Sequence, residues 1–109
     1  MATFNEIYKE GRQLQAAKQY EEAAAKYLAA AELEEKTSLS LMAATQCYTE
    51  LGMHMEAIET AKKAVEKEPE DQFPYISLSR AYQRGGFIPE AEYAMAKGNE
   101  VAYKQRQGG

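Results

Sequence analysis

The sequence predicts an all-α chain of six antiparallel helices, arranged as three tandem hairpins. Three observations lead there. Alanine, glutamate, lysine, leucine and glutamine dominate, all strong helix formers. No stretch alternates apolar and polar residues long enough to make a strand. The third observation is self-similarity: the chain repeats itself when shifted by 34 residues.

The elements follow in order from their start and stop signals. Thr3-Phe4-Asn5-Glu6 reads as a capping box, Thr3 and Glu6 satisfying each other's free amides, and opens a helix over 4–17. A second runs over 20–36 and a third over 38–51, where Gly52 stops it by accepting a positive φ. The fourth spans 54–68 and ends before Pro69. Asp71 caps the fifth, over 72–84, with Pro74 tolerated in its first turn and Gly85-Gly86 behind it. Pro89 sits at the start of the sixth, over 88–105, and Gln105–Gly109 reads as a frayed end. Connections this short force neighbouring helices into antiparallel hairpins.

At 109 residues the chain has room for one domain, 1–109, with one core. With 13 basic and 17 acidic side chains the net charge is -4, which speaks against nucleic acid or an anionic membrane as partner. No apolar run approaches the roughly 20 residues a membrane helix needs. The one cysteine, Cys47, points to a reducing, cytoplasmic setting, and the opening residues lack a signal-peptide pattern.

The repeat is gap-free from Phe4 to Gln105, in three periods, 4–37, 38–71 and 72–105. Glu22-Ala23 falls on Glu56-Ala57 and Glu90-Ala91; Leu14 on Tyr48 and Tyr82; Ile7 on Leu41 and Tyr75; Gly11 on Thr45 and Ser79; Ala30 on Ala64 and Gly98. This pattern of large residues at repeat positions 4, 11 and 24 and small ones at 8, 20 and 27 resembles the tetratricopeptide repeat (TPR) family. The resemblance spans nearly the whole chain. It implies a right-handed superhelical α-solenoid whose small residues let helices approach while large ones fill the gaps between. Three departures stand out. Ala61 replaces the aromatic of repeat two, with Met53, Met55 or Cys47 expected to repack around it. Gly98 weakens the last helix. The array also lacks a covering helix after its last hairpin, leaving part of that helix's apolar face (Met95, Val101) as an association surface and a homodimer as the alternative to peptide binding.

Catalytic chemistry finds no constellation. His54 and Cys47, the only residues of their kinds, flank a helix end. Cys47 reads as a small core residue. Gly85-Gly86 is a helix stop rather than a phosphate loop. No catalytic residue, metal site or cofactor is expected.

The TPR resemblance further implies a concave groove lined by repeat positions 2, 5, 6, 9, 12 and 13. Repeat one supplies Asn5, Tyr8, Lys9, Arg12, Gln15 and Ala16. Repeat two supplies Leu39, Met42, Ala43, Gln46, Thr49 and Glu50, and repeat three Phe73, Ile76, Ser77, Arg80, Gln83 and Arg84. These hold four basic residues and one acidic, a basic strip on an acidic chain. A non-catalytic scaffold or adaptor follows, binding a protein or peptide with acidic and apolar groups through Tyr8, Arg12, Met42, Gln46, Phe73, Ile76, Arg80 and Arg84. Arginine suits carboxylates because it pairs them bidentately. The carboxylate clamp of heat-shock co-chaperones, with Lys, Asn, Asn, Lys and Arg, would fall on Tyr8, Arg12, Ala43, Phe73 and Ser77, and none matches. The Ala- and Tyr-rich text of repeats one and two also resembles soluble-attachment-type fusion adaptors, against which the strict period counts.

Overall fold

Close helix packing needs small residues at the crossings, and alanine supplies most of them. Ala23, Ala30, Ala44, Ala57, Ala61 and Ala64 have no exposed surface at all. The computed structural model describes residues 2–108 and shows six helices: α1 (Phe4–Ala16), α2 (Tyr20–Ala31), α3 (Leu39–Glu50), α4 (His54–Lys67), α5 (Gln72–Arg84) and α6 (Ile88–Gly108). Each packs on its sequence neighbours, and α3 also touches α5. The result is three consecutive hairpins in a slab of 41 × 33 × 18 Å.

Both expected N-terminal caps form. Glu6 N–H donates to Thr3 Oγ1 at 3.2 Å while Thr3 N–H donates to Glu6 Oε1 at 3.0 Å. Phe73 N–H donates to Asp71 Oδ1 at 2.9 Å.

The hairpin turns are identical in kind. Gln19, Met53 and Phe87 N–H return to Leu14, Tyr48 and Tyr82 C=O, and Lys18, Gly52 and Gly86 N–H return to Gln15, Thr49 and Gln83 C=O. Each is a Schellman ending, whose penultimate residue must be left-handed. Gly52 (φ 73°) and Gly86 (φ 88°) adopt that conformation freely; Lys18 adopts it too, at φ 63°.

Two boundaries differ from the sequence reading. Helix α2 stops at Ala31, five residues short of 36. The Lys67 ammonium reaches from α4 to the carbonyls of Ala31 and Glu34, and the Glu34 carboxylate accepts from Ser40 N–H and the Thr37 hydroxyl. Those bonds satisfy the helix end early and spend residues 32–37 on the connection. Helix α6 instead continues through Gly108, so 105–108 are not frayed: the Gln105 amide donates to the Glu70 carbonyl.

The core has two clusters. One gathers Ala23, Ala24, Tyr27, Ala44 and Cys47; the other Ala57, Ile58, Ala61, Leu78, Ala81 and Ala94. Tyr48, Val65 and Tyr82 pack against the cluster that holds Ala61, which is itself fully buried. Met55 takes no part, being 57% exposed, and Cys47 belongs to the other cluster. Gly98 also has a packing role, since a Cβ there would stand 3.0 Å from Tyr75 Cβ, and its absence lets α6 close onto α5.

Candidate functional site

In a chain of hairpins every second helix points the same way, so α1, α3 and α5 run parallel. They wall one groove of about 870 Å³. All eight residues singled out from the sequence line it: Tyr8 and Arg12 from α1, Met42 and Gln46 from α3, Phe73, Ile76, Arg80 and Arg84 from α5. The central helix α3 gives all six of its expected positions. The outer helices turn only one flank inward, which leaves Asn5, Lys9, Ala16 and Gln83 outside the lining. Without Lys9 the groove holds three arginines against one glutamate, Glu50.

Because the three helices are parallel, their N-terminal halves share one edge of the groove and their C-terminal halves the other. Tyr8, Leu39, Met42, Phe73 and Ile76 occupy the first halves. Arg12, Gln46, Glu50, Arg80 and Arg84 occupy the second. The groove is therefore apolar along one rail and mainly cationic along the opposite one. The three arginines are exposed, and the ion pairs among the described residues, Lys26–Glu10 and Lys104–Glu100, leave them unengaged.

Two lining residues were missed by the sequence reading, Tyr27 and Thr45. Tyr27 belongs to α2, behind the wall. Its ring, 1% exposed, packs directly beneath the wall because Gly11 has no side chain to hold it off; an added Cβ would lie 2.9 Å from Tyr27 Cε1. A glycine opposite the position-24 aromatic was the available signal. The Tyr27 hydroxyl donates to Gln15 Oε1 at 2.6 Å, and Tyr8 packs against the ring at a centroid distance of 5.2 Å. Burial pushes the Tyr27 phenol up to about 12, with Tyr8 and Cys47 adding to the shift and Arg12 opposing it. Tyr8 is likewise raised by burial, against the pull of Arg12 and with a smaller push from Glu34. Thr45 and Thr49 turn their hydroxyls back to the carbonyls of Leu41 and Thr45, both at 2.9 Å.

Cys47 lies below this floor with no exposed surface, its thiol pushed up to about 11 by burial and then by Glu50. A thiol so protonated and enclosed is a packing group. Among the described residues no cluster of His, Cys, Asp and Glu forms that would hold a metal ion. No described helix is long and apolar enough to cross a membrane.

The chain matches no protein-family model, and no curated protein matches it. Solved structures do match. The crystal structure of MamA superposes with a TM-score of 0.83 at 22% identity, over 96% of this chain and 61% of that one. A second MamA structure, MSR-1 C2, gives 0.79 at 19%, over 94% and 59%. PcrH in complex with the chaperone binding region of PopB gives 0.81 at 14%, over 93% and 82%. This chain thus spans about three-fifths of the MamA chains it resembles. These are TPR-type helical solenoids, and the chain has their fold.

Proposed function

We propose that this chain is one non-catalytic interaction module, 1–109, whose groove holds a segment of a partner protein carrying acidic and apolar groups. One observation carries the reading: the apolar and cationic residues fall on opposite rails of a single groove, and the arginines take part in no ion pair among the described residues. In this mechanism Arg12, Arg80 and Arg84 pair with carboxylates and set the segment's orientation. Tyr8, Met42, Phe73 and Ile76 bury its apolar side chains and supply most of the affinity. Gln46 lies between and hydrogen-bonds the ligand. No cofactor is needed, and the lone thiol of Cys47 suits a cytoplasmic scaffold or adaptor. PcrH, alike in fold and complexed with a binding region of PopB, supports a protein-binding use of this architecture.

The test is affinity capture from cell lysate, with wild type beside an Arg12→Glu/Arg80→Glu variant of equal helicity. A partner held by wild type and lost by the variant supports the groove. Partners retained equally by both would move the binding site elsewhere.

A second reading, self-association through the last hairpin, is favoured by a different observation. Tyr93 on α6 is 67% exposed and lines an apolar cleft that shares no residue with the groove.

A further inference from the structure

We infer that the occupant of this cleft is a second copy of the chain, held by an antiparallel pairing of α6 with α6 of that copy. The inference rests on the self-association reading and is independent of the groove. The cleft, about 520 Å³, is lined by Val65 of α4, Leu78 and Tyr82 of α5, and Glu90, Tyr93 and Lys97 of α6. Its volume is enough to receive an aromatic ring, and Tyr93, which lines it, is itself 67% exposed.

The charges choose the occupant. Glu90, Tyr93, Ala94 and Lys97 are spaced three, four and seven apart, so they share one face of α6. Place a second α6 antiparallel across that face, with the two-fold axis between Tyr93 and Ala94. Glu90 then lies opposite Lys97 of the second copy, and Lys97 opposite Glu90 of the second copy. The same register brings Tyr93 over the cleft of the second copy, whose lining includes the core residue Ala94 and the apolar Val65, Leu78 and Tyr82. A single helix face that is its own electrostatic complement is what a two-fold interface requires. Neither side chain forms an ion pair among the described residues, where the pairs are Lys26–Glu10 and Lys104–Glu100; Lys97 does help to hold the exposed Glu100 carboxyl below its usual range, after the larger effect of Lys104. One helix pair lies at the small end of interface sizes, below about 1,200 Å² in total, so the dimer is weak and forms at high protein concentration.

Sedimentation equilibrium of the full chain, up to about 1 mM, tests this with two single charge reversals. Glu90→Lys places like charges at both contacts, and so does Lys97→Glu. Each is expected to weaken the dimer by roughly tenfold or more with unchanged helicity by circular dichroism. Mixed in equal amounts, the two variants meet with opposite charges at both contacts, and are expected to form a heterodimer as strong as the wild-type dimer. Because recovery on mixing requires both proteins to be folded, a folding defect cannot imitate it. Wild type that stays monomeric throughout would overturn the self-association reading together with this geometry. A wild-type dimer that both variants retain, or variants that fail to combine, would overturn the geometry alone.

Discussion

Gly11 shows how one missing side chain serves both fold and site. In a helix, glycine costs about 1 kcal/mol relative to alanine, so Gly11→Ala should stabilise α1 if nothing opposed it. Tyr27 opposes it. The new methyl would meet the ring at 2.9 Å, and the ring is held by its hydroxyl bond to Gln15 and by Tyr8. Overpacking of that kind costs roughly 1–3 kcal/mol. Gly11→Ala is therefore expected to destabilise by about 1 kcal/mol net, read from urea denaturation. A gain in stability would mean that the ring moves freely. The same neighbourhood sets an alkaline limit. Tyr27 and Cys47 ionise in the unfolded chain near 10 and 9 but in the folded protein only near 12 and 11, because burial disfavours their charged forms. The folded state thus holds its protons longer. Stability from these groups is complete below about pH 9 and falls as pH rises through 11 and 12. The urea midpoint should be level from pH 7 to 9 and decline above, less steeply in Cys47→Ala. An equal decline in both would remove Cys47 as a contributor.

At the scale of elements, the three hairpin turns repeat at the chain's own period, and one of them uses the wrong residue. Lys18 sits where Gly52 and Gly86 sit, with the same left-handed φ. A side chain there costs about 1–2 kcal/mol, partly offset because lysine has less backbone freedom to lose on folding. Lys18→Gly is expected to raise stability by about 0.5–1 kcal/mol, and Gly52→Ala to lower it by about 1 kcal/mol, both read as shifts in thermal midpoint. The turns at Gly52 and Gly86 were legible because glycine advertises a positive φ; Lys18 advertises nothing, and only the 34-residue register points to it. The end of α2 was illegible for another reason. Helix-forming residues continue past Ala31, and what stops the helix is Lys67, distant in sequence. The neighbouring Glu68 completes the junction, accepting from Ser38 N–H at 2.6 Å and Ser38 Oγ at 2.8 Å where Ser38 is fully buried. Glu68→Ala leaves both donors buried without a partner. It should cost roughly 1–3 kcal/mol, seen as faster amide exchange at the start of α3.

At the scale of the molecule, the repeat register turns sequence positions into a surface. Because parallel helices stack side by side, one position in each repeat becomes a row across the groove, and the eight residues that the TPR resemblance implied are found lining it. In the outer helices only part of each row faces this groove, and Lys9 lies outside its lining. The division into an apolar and a cationic rail yields the most discriminating expectation. Charged contacts made at an open rim weaken as salt rises, whereas apolar burial does not. For a captured partner segment, wild-type affinity should fall between low and high salt, and Arg12→Glu/Arg80→Glu should flatten that dependence while weakening binding at low salt. Phe73→Ala removes a side chain that is 58% exposed in the free protein, so the fold loses little. Its loss in binding should be about tenfold and the same at every salt concentration. Titration calorimetry across a salt series separates the two behaviours. If Phe73→Ala changed the salt slope as much as the arginine variant did, the rails would not act separately, and the ligand would lie across the groove in some other way.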